Sequence, residues 1–92
     1  LPICSSSMEV SVAREFAPFG INVNCVCPGP TETSMLDELT PAGRERILAG
    51  SMIKNFADPQ NIADAAVFLA SDFAGHITSE IVSVDGGIMK GN

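Results

Sequence analysis

Apolar positions near the start of this chain recur at the spacing of a helix. Between residues 12 and 17 they fall three and four residues apart, and Pro18 and Gly20 stop the pattern. Ahead of them, Ser6-Ser7-Met8-Glu9 has the Ser-x-x-Glu spacing of a capping box. The pattern therefore predicts a helix over residues 7–17.

The next segment, Ile21–Cys27, alternates like a strand. Its odd positions are apolar, Asn22 and Asn24 point the other way, and Gly20 and Pro28 bound it. We therefore predict a strand over residues 21–27. A helix followed by a glycine and a strand is the second half of a crossover unit, so the partner strand is expected before residue 1.

Residues 31–57 show no sustained period. A short helix is indicated at Ser34–Leu39, and a second one opens at Thr40-Pro41, where threonine caps the helix and proline takes its first position. Long irregular segments inside compact domains are more often lids or binding loops than connections without a function. We therefore predict a lid loop with short helices over residues 31–57.

The last third of the chain returns to regular patterns. A wide apolar stripe follows Asp58-Pro59 and predicts a helix over residues 59–71 that packs on a sheet. Glu80–Val84 is predicted to be a second strand, halted by Asp85-Gly86-Gly87. The order of helix, strand, lid loop, helix and strand is typical of an α/β fold with a parallel sheet.

Composition narrows the class of protein. The 92 residues suffice for one domain or a piece of one, and 46% hydrophobic with 17% charged residues is the balance of a globular chain. The net charge of −6 and the scattering of the five basic residues argue against nucleic-acid binding. No apolar stretch approaches the ~20 residues that cross a bilayer, and no secretory signal opens the chain. We therefore expect a soluble, cytoplasmic protein without a membrane partner.

The residues alone indicate one place for a ligand and no metal site. Cys25 and Cys27 share a face of the predicted strand without being placed to bridge each other, and with His76 they offer no recognisable ligand spacing. In open α/β sheets, ligands bind beyond the carboxyl ends of the strands, where the segment Pro28–Thr33 leaves the first strand. On spacing alone, an ordinary strand-to-loop turn remains the simpler interpretation of this segment.

Four blocks of sequence resemble one known family in the right order. Residues 13–33, with Asn22-Val23-Asn24 and Pro28-Gly29-Pro30-x-x-Thr33, resemble the corresponding stretch of short-chain dehydrogenases/reductases. The blocks at residues 58–63, 68–72 and 77–87 resemble that family's closing helix and last strand. The resemblance covers about residues 11–88. It implies the C-terminal part of a Rossmann-like, doubly wound parallel sheet.

The resemblance also implies a site. In the family, this loop meets the nicotinamide end of NAD or NADP, so Pro28, Gly29 and Thr31 are expected against the ring and its carboxamide, and Thr33 at the carboxamide or pyrophosphate. Residues 34–53 correspond to the family's mobile substrate loop. Within it, three apolar residues are the candidates for substrate contacts, namely Met35, Leu36 and Leu39. The same residues equally fit the core side of a short amphipathic helix.

The chain departs from the family at the catalytic residues. The family's Tyr-x-x-x-Lys pair falls upstream of the match, this chain contains no tyrosine, and its first lysine is Lys54. We therefore assign no catalytic residue and predict that the chain alone is inactive. The nucleotide-binding N-terminal half of the domain is expected to lie outside residues 1–92. Ser79 stands where a glycine is frequent in the family.

Two functions follow from these observations. In the first, the chain is a segment of an NAD(P)-dependent oxidoreductase, similar to 3-oxoacyl carrier-protein reductases, that transfers hydride between coenzyme and a carbonyl or alcohol. In the second, it is a non-catalytic truncated product that acts as an oligomerisation or interaction module. Since two strands do not form a stable sheet by themselves, we expect the missing N-terminal half or another chain of the family to complete it, in a homo-oligomer.

Overall fold

The computed structural model describes residues 8–88. Three α-helices and two strands carry the fold, with short 3-10 helices between them. In chain order these elements are helix α1 at Met8–Phe16, a 3-10 helix at Ala17–Phe19, strand β1 at Cys25–Pro28, a 3-10 helix at Ser34–Glu38, helix α2 at Pro41–Ala49, helix α3 at Pro59–Ala70, a 3-10 helix at Asp72–Ala74 and strand β2 at Ile81–Val84. The predicted order of elements is confirmed.

The two strands lie side by side and run parallel, with Cys25 opposite Ile81 and Pro28 opposite Val84. Helix α3 packs on both of them. Its start follows from its sequence, because the Asp58 carboxylate accepts from the Gln60 amide at 2.8 Å and the Asn61 side chain accepts from the Asp58 amide at 2.8 Å. The parallel α/β sheet and the packing of this helix are as predicted.

Helix α2 begins as the sequence predicts. The Thr40 hydroxyl accepts from the Gly43 amide at 3.0 Å, and Pro41 occupies the first turn. The predicted capping box of α1 lies partly outside the described residues, since Ser6 and Ser7 precede them. The helix itself ends at Phe16 and tightens into the 3-10 turn at Ala17–Phe19, after which Gly20 adopts a left-handed conformation with φ 75°.

Strand β1 is shorter than predicted and begins at Cys25 instead of residue 21. The reason is that the residues before it bond to the opposite loop through side chains. The Asn24 amide donates to the Ile77 carbonyl at 3.0 Å while its oxygen accepts from the Glu80 amide at 3.0 Å. The Asn22 amide donates to the Gly75 carbonyl at 3.1 Å. Because these side chains hold the two segments together, the regular ladder starts only at Cys25, whose amide donates to the Glu80 carbonyl at 2.8 Å.

The described part of the chain has little core of its own. No large side chain there is fully buried, and the buried hydrophobic residues are Ala13, Cys27 and Ala74. Phe19 is 76% exposed and Phe73 is 90% exposed. Cys25 is a free cysteine, so it does not bridge to Cys27, as expected. The two strands and three helices therefore leave much of their apolar surface uncovered.

Helix α3 shows the same property on its outer side. Its inner residues Ile62, Ala65 and Leu69 are partly buried, whereas a second set of apolar residues is exposed. This outer set also recurs at helical spacing and comprises Ala63, Ala66, Val67 and Ala70. The helix is therefore apolar on the side that packs on the sheet and on a side that nothing in residues 8–88 covers.

Ser79 has a strained backbone conformation, at the position where the resembling family frequently has glycine. It has φ 65°, and its amide donates to the Val23 carbonyl at 2.7 Å, which fixes the turn before β2. A left-handed conformation costs a non-glycine residue roughly 1–2 kcal/mol, which the greater chain entropy of unfolded glycine partly offsets. We expect Ser79→Gly to raise the free energy of unfolding by about 0.5–1 kcal/mol, measured by urea denaturation.

Ser83 provides the matched control for this prediction. It is an exposed residue of β2, where the backbone is extended and glycine has no conformational advantage. Ser83→Gly is expected to lower the free energy of unfolding by about 0.5–1 kcal/mol. Equal destabilisation by both substitutions would show that Ser79 carries no backbone strain.

Candidate functional site

The Pro28–Thr33 loop leaves β1 at the carboxyl edge of the sheet, next to the turn that leaves β2. The Gly29 amide donates to the Val84 carbonyl at 3.0 Å. A Cβ atom on Gly29 would lie 2.5 Å from Cβ and 2.6 Å from Cα of Asp85. Only glycine therefore permits the two chain segments to run this close together.

The loop is held on its other side by the segment that precedes α3. The Ala57 amide donates to the Pro30 carbonyl at 3.1 Å, and the Glu32 amide donates to the Ala57 carbonyl at 2.7 Å. Together these bonds form a short parallel bridge between Thr31 and Ala57. The backbone of the loop is thus fixed at both edges, which makes it a rigid platform at the end of the sheet.

The two threonines of the loop are placed differently. The Thr31 hydroxyl donates back to the Gly29 carbonyl at 2.8 Å and is partly buried. Thr33 is exposed, with extended backbone at φ −136° and ψ 171°, and its side chain makes no capping hydrogen bond. The structure therefore brings Pro28, Gly29, Thr31 and Thr33 together on one loop and leaves the Thr33 hydroxyl open. Their contact with a coenzyme stays a prediction.

The three candidates for substrate contacts lie in and after the 3-10 helix at Ser34–Glu38. Leu36 and Leu39 are partly buried, an exposure that fits either a substrate-facing or a core-facing role. Of Met35 the structure describes only its place in that helix. Their role in substrate binding therefore remains a prediction.

A cavity of about 390 Å³ opens at the same edge of the sheet. It lies between the loop after β1, the segment after α2 and the exit of β2. Its lining is mostly apolar and includes Pro30, Leu48, Ile53, Ala57 and Val84, together with the polar residues Ser51, Asn55, Asn61 and Asp85. Leu36 and Leu39 are not among the residues that line it.

The turn that follows β2, at residues 85–87, is held by hydrogen bonds that the sequence did not predict. The Gly86 carbonyl accepts three hydrogen bonds, from the Ser51 hydroxyl at 3.0 Å and from the amides of Met52 and Ile53 at 2.9 Å each. Ser51 is buried, at 6% exposure. Asp85 closes the turn by accepting from the Gly87 amide at 2.9 Å. The Asp-Gly-Gly turn was the available signal, but it indicated only the end of the strand.

Two other kinds of functional feature, a metal site and a membrane-spanning helix, are not found within residues 8–88. No group of three or more histidine, cysteine or acidic side chains there is arranged to hold a metal ion. In the same part of the chain, no helix has the length and apolar character needed to cross a membrane. The loop, the cavity and the β2 exit therefore form the best-defined site in the described residues.

The sequence matches one family and its relatives over most of its length. The family model described as enoyl-(acyl carrier protein) reductase matches residues 6–89. The uncharacterized oxidoreductase YmfI of Bacillus subtilis is 49% identical over 81 residues, which are 88% of this chain and 34% of the relative. The uncharacterized short-chain type dehydrogenase/reductase y4mP of Sinorhizobium fredii is 36% identical over 80 residues, 86% of this chain and 32% of the relative.

Solved structures share the fold. YwfH, an NADPH-dependent reductase involved in bacilysin biosynthesis, superposes with a TM-score of 0.82 at 31% identity, over 91% of this chain and 36% of that one. The 3-oxoacyl-[acyl-carrier protein] reductase of Brucella melitensis superposes with a TM-score of 0.86 at 27% identity, over 89% of this chain and 31% of that one. The chain thus spans about a third of the length of its relatives. It belongs to the short-chain dehydrogenase/reductase family, and its helices and parallel strands are part of that family's Rossmann-like fold.

Proposed function

We propose that this chain supplies the nicotinamide-side loop and the substrate lid of an NAD(P)-dependent oxidoreductase that acts on a carbonyl or alcohol group. The observation that supports this most directly is the Pro28–Thr33 loop, held rigidly at the carboxyl ends of two parallel strands with the Thr33 hydroxyl open. Ligands of open α/β sheets bind at this edge. The NADPH dependence of the similar reductase YwfH adds support for this class of coenzyme.

The residues present suit a flat, amide-bearing ring. The close packing of Gly29 on Asp85 and the bonds of Pro30 and Glu32 to Ala57 keep the backbone in place before any ligand arrives. The Thr33 hydroxyl is free to donate to or accept from a carboxamide. When bound, NAD or NADP supplies the hydride chemistry, and the loop's contribution is to orient the ring without moving. Preorganisation of this kind lowers the entropic cost of binding.

The proton that accompanies hydride transfer requires a group from outside these 92 residues. The chain has no tyrosine, and Lys54 is bound to the end of α2, where its Nζ donates to the carbonyls of Leu48 and Ala49 at 3.3 and 3.2 Å. We propose that the tyrosine–lysine pair and the phosphate-binding turn belong to an N-terminal segment or another chain. The uncovered apolar surfaces around Phe19 and Phe73 support such a packing partner.

A lid role for the segment between β1 and α3 follows from its attachment. The segment is bound on both sides of its helices, where the Glu32 amide donates to the Ala57 carbonyl and where the Ser51 hydroxyl donates to the Gly86 carbonyl. The helices at Ser34–Glu38 and Pro41–Ala49 extend between Glu32 and Ser51. A segment with fixed ends and exposed helices is suited to open and close over a substrate. The cavity beside Ile53 lies at its base.

Hydride-transfer assays with NADH and NADPH test the proposal. We expect the native protein, with the segment that completes it, to oxidise one of the coenzymes in the presence of a 3-oxoacyl or other carbonyl substrate, and these 92 residues alone to give no turnover. Turnover by the 92 residues would contradict an external acid/base group. No turnover by the native protein with either coenzyme would contradict the oxidoreductase.

A pair of variants focuses the same assay on the loop. Thr33→Val removes the hydroxyl with little change in shape and is expected to raise the KM for coenzyme about tenfold, the effect of one lost hydrogen bond of roughly 1.4 kcal/mol. Ser34→Ala, at the neighbouring exposed position, is the control, with an unchanged KM.

The second candidate function is an interaction module without enzymatic activity, which the exposed outer side of α3 favours. It predicts that neither variant, nor the wild type, binds or oxidises a coenzyme.

A further inference from the structure

Arg44 forms a cluster that joins four parts of the site. Its Nη2 donates to both carboxylate oxygens of Glu32, at 2.8 and 2.9 Å, and its Nη1 donates to the Leu36 carbonyl at 3.1 Å. Its guanidinium also lies 4.8 Å from the centroid of the Phe56 ring. We call Glu32, Leu36, Arg44 and Phe56 the Arg44 cluster.

Each member of the cluster lies in a different part of the site. Glu32 stands between the two threonines of the coenzyme-side loop, and Leu36 lies in the first helix of the lid. Arg44 lies on α2, the second helix of the lid, and Phe56 directly precedes Ala57, to which the loop is bound. One side chain thus connects the loop, both helices of the lid and the segment that leads to α3.

The strength of the cluster comes from its combination of contacts. The side chains of Arg44 and Glu32 are 31% and 51% exposed, and an exposed ion pair by itself contributes little. Here the same guanidinium also bonds a backbone carbonyl and lies against an aromatic ring, so its position is set by three partners. The guanidinium is therefore positioned by three partners while it remains partly exposed to solvent.

We infer that Arg44 is a positioning residue that holds the lid closed against the coenzyme-side loop. With the cluster formed, the helix at Ser34–Glu38 is held beside Glu32. Thr33 lies between them in the chain, so its position is fixed as well. With the cluster broken, the helix loses the hydrogen bond from Arg44 to the Leu36 carbonyl, and the lid opens. This inference rests on the proposed oxidoreductase function, because it assigns Arg44 to the substrate and coenzyme site of that enzyme.

Amide hydrogen exchange and steady-state kinetics on the native protein test the inference together. Arg44→Met keeps an unbranched apolar side chain and removes the guanidinium group. It is expected to speed exchange at Leu36 and Leu39, whose amides donate to Thr33 and Leu36, by roughly tenfold. It should raise the KM for substrate and coenzyme several-fold while kcat changes little, because the lid affects binding more than the chemical step.

Three comparisons separate positioning from simple stabilisation. Arg46→Met removes an exposed arginine from the same helix and should leave exchange at Leu36 unchanged. Glu32→Gln should have no further effect when added to Arg44→Met, because the two residues act through one contact. Arg44→Lys, which keeps the charge, should recover part of the lost affinity. The KM for substrate should rise with salt more steeply in wild type than in Arg44→Met, which lacks the Arg44–Glu32 ion pair.

The outcomes distinguish the inference from the function on which it rests. Unchanged exchange at Leu36 in Arg44→Met would show that Arg44 does not hold the lid. Faster exchange with unchanged KM would show that the lid does not position substrate or coenzyme, and it would also overturn the inference. Faster exchange in a protein whose wild type transfers no hydride would leave the contact intact and contradict the proposed function instead.

Discussion

Gly29→Ala is expected to destabilise the protein more than any other single methyl addition in the loop, by about 3 kcal/mol. The new Cβ would lie 2.5 Å from Cβ and 2.6 Å from Cα of Asp85, far inside van der Waals contact with a neighbouring backbone. Asp85 cannot easily shift, because it is bonded to the Gly87 amide and the adjoining Gly86 carbonyl accepts three hydrogen bonds. The carboxyl ends of β1 and β2 would separate.

Urea denaturation and coenzyme titration measure this effect. The midpoint of unfolding should fall. Under the proposed function, coenzyme affinity should fall with it because the loop loses its fixed placement. Gly50→Ala is the matched control, since the nearest atom to a Cβ there is the Ile47 carbonyl oxygen at 3.8 Å and the backbone is right-handed helical. That substitution should change stability by less than about 0.5 kcal/mol. Similar unfolding midpoints for the two variants would contradict the close packing of Gly29 on Asp85.

Asn24→Ala is expected to cost about 2–3 kcal/mol in the free energy of unfolding. The Asn24 side chain satisfies the Ile77 carbonyl and the Glu80 amide, and its removal leaves both backbone groups without these partners. Because the Cys25–Glu80 bond that starts the ladder is adjacent, the start of the sheet should fray as well. Hydrogen exchange at Cys25 reports this fraying directly.

Two further variants sharpen the test of Asn24. Asn24→Asp keeps the shape and the acceptor for Glu80 but places an oxygen against the Ile77 carbonyl, so it should also be destabilising. Asn55→Ala is the control, because Asn55 is exposed and makes no hydrogen bond within the described residues. A stable Asn24→Asp variant would mean that the donor bond to Ile77 contributes nothing.

Helix boundaries show how far local sequence rules reach. The caps of α2 and α3 were predictable because Thr40 with Gly43 and Asp58 with Asn61 bond across one helical turn. The strand β1 was located correctly, but its first four residues were not, because Asn22 and Asn24 bond to a loop that lies far along the chain. Alternation of apolar and polar residues describes both a ladder and a segment bonded through side chains equally well.

The candidate site divides in the same way. The Pro28–Thr33 loop was predictable from its position after a strand and from the family resemblance. The Arg44 cluster was not, because a charged residue on an exposed helix gives no sign of its partner, and Glu32 lies 12 residues away. Ser51 was missed for the same reason, since its partner Gly86 lies 35 residues away.

By itself, therefore, the sequence determined the order of the elements, the caps of α2 and α3, the turn after β2 and the family to which the chain belongs. These depend on residues within a few positions of one another, whose local conformational preferences are expressed wherever they occur. Only the tertiary structure decided where β1 starts, why position 29 requires glycine and which groups Arg44 contacts. Those features arise where distant segments meet, and the distance and direction of such contacts depend on the packing of the whole α/β layer.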